Sequence, residues 1–300
     1  MWETTQLMNL DCIELANDAV SLLITKNVGP RILKLSVPGG ENLLAELPLA
    51  TLDCPGKGVF NLWGGHRLWH APEKASRTYL PDNRPLTITE TTGGVRVVQP
   101  VEPETGLQKM LTISLPDNSA TVVVEHTLTN RGVWGVECAP WAITQMRKGG
   151  TAVLPLNTQP LDDDGLLPNR PIAFWPYTDI NSPHLKLTNA HIFIDATMTA
   201  GAMKIGFPNP HGWMAYWLEG MLFVKTAVFQ PNATYYDFGS SSECYCNDKF
   251  LELETLGPRT IIQPGDSVTH RELWYLFTDV PMTSPEALAA HIPHLMGDRS

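Results

Sequence analysis

The segment Phe250-Leu-Glu-Leu-Glu-Thr-Leu-Gly-Pro258 sets two carboxylates among apolar neighbours. Successive side chains of a β-strand point to opposite faces, so Glu252 and Glu254 share one face. Two like charges that close push one pKa towards neutrality, which suits a general acid or base. A solvent-facing strand shows the same pattern, and these residues alone leave both readings open. The run Asn61-Leu-Trp-Gly-Gly-His-Arg-Leu-Trp-His-Ala-Pro-Glu73 is a second candidate, with indoles, imidazoles, a guanidinium and a carboxylate around a glycine pair. A sugar stacks its C–H face on an indole while its hydroxyls bond to Arg, His and Glu, and glycine lets the backbone approach a ligand. This is the composition of a binding loop, with Arg67, Trp69 and Glu73 as ligand contacts. The plainer alternative is a packed corner in which Trp63 and Trp69 fill core. His66 and His70 have the spacing of a zinc-binding helix, but no Glu follows His66 and Gly64-Gly65 opposes a helix start.

Other polar residues stand on apolar strands. Ala139-Pro-Trp-Ala-Ile-Thr-Gln145 places Trp141, Ile143 and Gln145 on one face, either as a stacking platform beside an amide or as ordinary packing. Lys204 and Lys225 are lone cations on apolar strands, which must pair or lie at a strand end. Pairing with Glu252 or Glu254 would bring them into a pocket. His126 keeps register with Val122, Val124 and Leu128 and reads as a core histidine. Cys244-Tyr-Cys246 and Asp162-Asp-Asp-Gly165 lack the donor patterns of zinc and calcium sites, so no metal or other cofactor is expected.

Composition limits what these residues can belong to. The chain has 300 residues, 43% hydrophobic and 17% charged, with 25 prolines and 23 glycines, which describes a globular protein rich in turns. No Gly/Ser-rich or charged linker divides it, so residues 1–300 read as one domain. A formal charge of −10, with 31 acidic against 21 basic residues and no Lys/Arg run, opposes nucleic-acid binding and favours a neutral small molecule. There is no apolar stretch of bilayer length and no export signal, and the five cysteines are unpaired by spacing. A cytoplasmic protein with reduced thiols, free of the membrane, is expected.

The elements that must position the candidates are mostly strands. Ala19–Thr25 and Gly29–Val37, Leu86–Glu90 and Val95–Val98, and Met110–Leu115 and Thr121–Thr129 form hairpins across Gly- and Pro-rich turns, the last at Pro116–Ser119. Further strands are predicted at 151–154, 191–194, 203–206, 213–217, 221–225 and 268–276. Helical signals appear only at Ser284-Pro-Glu-Ala-Leu-Ala-Ala-His291, with Ser as cap and Pro in the first turn. The irregular stretch from Leu156 to Asn189 is long enough to cover a site.

In this order the motifs resemble the galactose mutarotase-like superfamily, which includes the aldose 1-epimerases. Gly29-Pro-Arg-Ile-Leu-Lys-Leu resembles its opening hairpin, Gly64-Gly-His-Arg-Leu-Trp69 its first ligand loop, and Leu128-Thr-Asn130 the strand before its central segment. Leu253-Glu254-Thr255 with Pro264-Gly-Asp and His270-Arg-Glu-Leu-Trp274 resembles its base-bearing strand and the hairpin after it. The resemblance implies an all-β fold, a large twisted antiparallel two-sheet supersandwich, here with a short C-terminal helix. It also implies a small carbohydrate as partner and chemistry at the anomeric centre. Glu254 then takes the base position, with Glu252 as a neighbour that tunes or replaces it. The family's central histidine is missing from Cys138-Ala-Pro-Trp-Ala142, so His66, His70 or His211 would supply the acid from another loop, or a lysine would donate. Arg67, Trp69, Glu73, Trp141, Gln145, Lys204, Lys225 and Glu252 are the expected sugar contacts. The alternative is a carbohydrate-binding protein without turnover. Glycosidase chemistry needs carboxylates on both sides of the scissile bond, which Glu252 and Glu254 on one strand do not provide.

Overall fold

In the computed structural model, which describes residues 2, 4–116 and 119–297, two large antiparallel sheets of eleven and ten strands lie face to face. The centre of the first sheet runs in the order Arg31–Ser36, His66–Ala71, Val136–Met146, Leu251–Leu256, Ser242–Asn247 and Ala202–Phe207. The second sheet has Met221–Ala227, Ser267–Phe277 and Thr121–Asn130 at its middle. The hairpin of Glu46–Cys54 and Gly58–Gly64 belongs to neither sheet and forms a separate arm. The helix Pro285–Gly297 lays Leu288, Ala289 and Ile292 against the outer face of the second sheet. Ser284 Oγ accepts from the Ala287 amide at 3.1 Å, as its capping role predicts. Of the turn at Pro116–Ser119, residues 117 and 118 lie outside the described residues.

The strands follow from alternation. Leu251 and Leu253, Cys244 and Cys246, and Met203 and Ile205 face inward and meet Val122, Val124, Phe223 and Trp274 of the second sheet. His66–Ala71 is instead buried along its whole length, with polar and apolar residues on both faces, so its alternation is masked and it reads as a loop in the sequence. The glycines before it serve the backbone. A Cβ at Gly64 would lie 1.8 Å from the Ala45 oxygen, and one at Gly65 would lie 2.2 Å from the Ile32 oxygen. Both glycines, and Trp63 before them, have positive φ, so chain packs against chain there and no ligand is needed to explain the pair.

A polar cluster is buried within the largely apolar layer between the sheets. Lys225 and Glu272, both 0% exposed, form an ion pair of 2.7 Å. Lys225 Nζ also donates to Thr144 Oγ1 and to the Leu253 carbonyl, each at 3.1 Å, which uses all three ammonium hydrogens. Glu272 accepts from Trp274 Nε1 at 2.8 Å and from the Thr255 hydroxyl, which itself accepts from His270 Nε2 at 2.7 Å. Burial lowers Lys225, against the pull of Glu272. Burial would raise Glu272, but Lys225 outweighs it and holds the carboxylate below its usual range. Removing one member strands the other as a buried charge, so Lys225→Met should cost about 3–5 kcal/mol in urea unfolding, and adding Glu272→Leu should restore most of it.

Candidate functional site

Strand register assembles the site on the outer face of the first sheet. Arg67, Ile143, Glu254, Glu243 and Gly206 form one row across five strands. Beside it run Gln145, Glu252, Tyr245 and Lys204, and on the other side Trp69, Trp141 and Leu256. Above these rows is a cavity of about 550 Å³, whose lining includes Arg67, Trp69, Glu73, Trp141, Lys204 and Glu252. The arm supplies Leu49 to Leu52 and Leu62 to its wall, and Tyr79 and Tyr177 complete the aromatic surface.

Two charged groups of different character form the floor. In the first, Arg67 donates to Gln145 Oε1 at 2.8 Å and to Glu252 Oε1 at 3.1 Å, and Gln145 Nε2 donates to the same Glu252 oxygen at 2.9 Å. The guanidinium carbon sits 4.3 Å from the centroid of the Trp69 ring. Burial lowers Arg67 to about 10, partly opposed by Glu252. Glu252 is pushed up to about 7 by burial and by the charge of Glu254, against the pull of Arg67 and Lys204. The like-charge effect expected from the spacing of the two glutamates is thus present, second to desolvation.

In the second group, Lys204 Nζ lies 2.9 Å from Glu254 Oε2 and 2.7 Å from Glu243 Oε2, the latter as a contact of charges without hydrogen-bond alignment. Its ammonium is also 4.6 Å from the Trp141 ring centroid and 4.8 Å from that of Trp175. Burial works against the Lys204 charge, but Glu243 and Glu254 together hold it well above its usual range. Burial pushes Glu243 well above the carboxylate range, opposed by Lys204 and aided by Glu254 and Asp237. Trp141 Nε1 donates to Glu254 Oε2 at 2.6 Å. Glu254 is 0% exposed, beneath Lys204 and Trp141, with Oε1 unpartnered. The backbone of Lys204 pins the covering loop, exchanging bonds of 2.8 and 2.9 Å with the Thr178 hydroxyl.

Eight of the residues singled out in the sequence therefore come together: Arg67, Trp69, Glu73, Trp141, Gln145, Lys204, Glu252 and Glu254. His66, His70 and Lys225 do not join them. They alternate with the site residues on their strands or stand in the other sheet, and they point into the layer between the sheets. His66 bonds through Nε2 to His126 Nε2 at 2.7 Å and through Nδ1 to Thr144 Oγ1 at 2.9 Å. His70 is 1% exposed with both ring nitrogens unpartnered, and burial lowers it to about 3. Lys225 serves Glu272, as described above. His211 gives Nε2 to the Leu156 carbonyl at 3.2 Å and is not in the cavity lining. His126 faces the core as its register predicts, with Nδ1 donating to the His270 carbonyl at 2.9 Å.

Ligand-type atoms of His66, His126 and Glu272 lie within 4.8 Å of one another, but their chemistry is that of a hydrogen-bond network. His126 donates from Nδ1, and burial keeps it neutral, so its Nε2 accepts from His66 Nε2–H. Nδ1 of His66 then accepts from the Thr144 hydroxyl, whose oxygen accepts from Lys225. No free lone pair is left on either imidazole for a metal ion. Glu243, Tyr245, Tyr79, Tyr177 and Trp175 are site residues that sequence reasoning missed. The alternation Ser242-Glu-Cys-Tyr-Cys246 repeats the polar and apolar pattern of Leu251–Leu256 and carries the signal for the first two.

No family model and no curated protein matches the sequence. Solved structures do match. A candidate aldose 1-epimerase from Klebsiella pneumoniae superposes with a TM-score of 0.61 at 11% identity, over 97% of this chain and 85% of that one. A galactose mutarotase-like protein from Lactobacillus casei does so with a TM-score of 0.56 at 11% identity, over 89% and 100%. The chain has the galactose mutarotase-like β-sandwich fold. A TPR-domain-containing protein from Parabacteroides distasonis also matches, with a TM-score of 0.63 at 15% identity over 91% of this chain, which spans about half of that protein, 48%. At such identities the likeness shows the fold alone, and any chemistry must be argued from the cavity.

A carboxyl that titrates near neutrality can be observed directly. In ¹³C NMR the Glu252 carboxyl should titrate with a midpoint of about 7, and Glu254→Gln should move that midpoint down by removing the neighbouring negative charge. An unchanged midpoint in the variant would show that burial alone sets it.

Proposed function

We propose that the cavity binds a neutral aldose or aldose derivative and interconverts its anomers by proton transfer at the anomeric hydroxyl and ring oxygen, as an aldose 1-epimerase would. The observation that carries this reading is the Glu252 carboxyl, held through one oxygen by Arg67 and Gln145, on a cavity floor flanked by two indoles and two cations. Indole and tyrosine faces suit the C–H surfaces of a pyranose, and the polar floor suits its hydroxyls. Cations already neutralised by carboxylates favour an uncharged ligand over a phosphorylated one.

The chemistry assigns the base to Glu252. Its hydrogen bonds from Arg67 and Gln145 converge on Oε1, which leaves Oε2 to take the proton from the anomeric hydroxyl. As that proton leaves, the C1–O5 bond breaks and O5 takes a proton from the Lys204 ammonium. Rotation about C1–C2 presents the other face of the aldehyde, and the same transfers in reverse close the ring. Glu254, sealed under Lys204, positions that ammonium and the Trp141 ring. A second reading, binding without turnover, is favoured by the same lysine: two carboxylates hold its pKa well above the usual range, which makes it a reluctant donor.

The base must be ionised to act, and burial has raised its pKa, so activity appears as pH rises. In NMR exchange between the anomers of D-glucose, D-galactose and D-xylose, kcat/KM should climb through pH about 7 and then level off. Glu252→Gln should lower it by about 10²- to 10⁴-fold, the usual contribution of a positioned base. Trp69→Ala should act chiefly on KM. Sugar binding without exchange would select the second reading, and neither binding nor exchange would dismiss the carbohydrate assignment.

A further inference from the structure

We infer that the wall formed by the arm is a subsite for an apolar substituent, carried by the sugar at the end remote from C1. The inference rests on the reading of the floor as the site of the anomeric centre. It starts from a register fault in the arm. Leu47 pairs with Trp63 and Thr51 with Asn61, so Pro48, Leu49 and Ala50 stand opposite Leu62 alone. Extra residues cannot stay in the ladder and loop out, and Pro48 has no amide hydrogen to give it. The bulge carries Leu49 to the cavity wall with 92% of its surface exposed, and Leu52, 38% exposed, lines the same wall. Single exposed leucines are common on protein surfaces, but this strand directs two of them to one concave site.

The cavity is also too large for the sugar alone. Its volume of about 550 Å³ equals that of roughly 18 water molecules at about 30 Å³ each, whereas a hexopyranose has roughly a dozen non-hydrogen atoms. Arg67, Glu252 and Lys204 rise from the sheet, while Leu49 and Leu52 come from the arm. In the inferred pose C1 sits at Glu252 and the opposite end of the ring points towards those leucines, which line the same cavity. An acyl or alkyl group there would cover apolar surface that a bare aldose leaves wet. The ligand class is therefore a reducing sugar with a hydrophobic group away from its anomeric carbon.

Calorimetry with D-glucose and D-galactose, with their 6-O-octanoyl esters below micelle-forming concentration, and with 1-octanol separates the outcomes. The ester of the sugar that binds should bind about tenfold more tightly than its parent, and the ester-to-parent ratio should fall close to unity in Leu49→Ser. Equal affinity of ester and parent would overturn the inference and leave the sugar reading intact. A gain that survives Leu49→Ser, or octanol binding as tightly as the ester, would also overturn it. Failure of both parents and both esters to bind would remove the sugar reading and the subsite together.

Discussion

The Lys225–Glu272 pair is a full ion pair buried between two sheets, and its demands set how those sheets can meet. Lys225 and Glu272 both belong to the second sheet, yet Lys225 spends its other hydrogens on Thr144 and on the Leu253 carbonyl of the first. Apolar contacts are tolerant of small slips, whereas a buried ammonium needs its acceptors within hydrogen-bond distance. The cluster therefore fixes how the two sheets lie on one another. Strands Val136–Met146 and Leu251–Leu256 are held from behind in this way, and they carry Trp141, Gln145, Glu252 and Glu254 on their other face.

One pair of strands thus has two polar surfaces with opposite duties. Inward, Thr144 and Thr255 join a network whose donors and acceptors are matched, with histidines that burial keeps neutral. Outward, the groups are less complete: Glu254 has an unpartnered oxygen and Glu252 holds its proton near neutrality. A satisfied network gives rigidity, and an unsatisfied one has something to offer a ligand. The period of two along each strand is what keeps these functions apart.

That same period explains what the sequence discloses. Glu252 and Glu254 could be placed together from their spacing, as could Trp141 with Gln145, because each pair lies two or four residues apart on a strand. Lys204 was legible as a cation needing a partner, and Glu254 is one of its two. The histidines were misplaced because Gly64-Gly65 made His66–Ala71 look like an irregular loop, with every side chain free to face a ligand. Once the segment is a central strand, His66 and His70 must oppose Arg67 and Trp69. Glu243 and the arm depended on pairings between distant strands, which no local pattern contains.

The glycine pair at the root of the arm has a mechanical consequence. Backbone oxygens of Ala45 and Ile32 leave no room for a side chain at Gly64 or Gly65, and the Gly65 amide donates to the Ala45 oxygen at 3.1 Å, which ties this end of the arm to the backbone beside it. The arm is clamped at its base. Any accommodation of guests of different shape falls to the three unpaired residues at 48–50, which makes the gatepost stiff and leaves only its inner edge pliable.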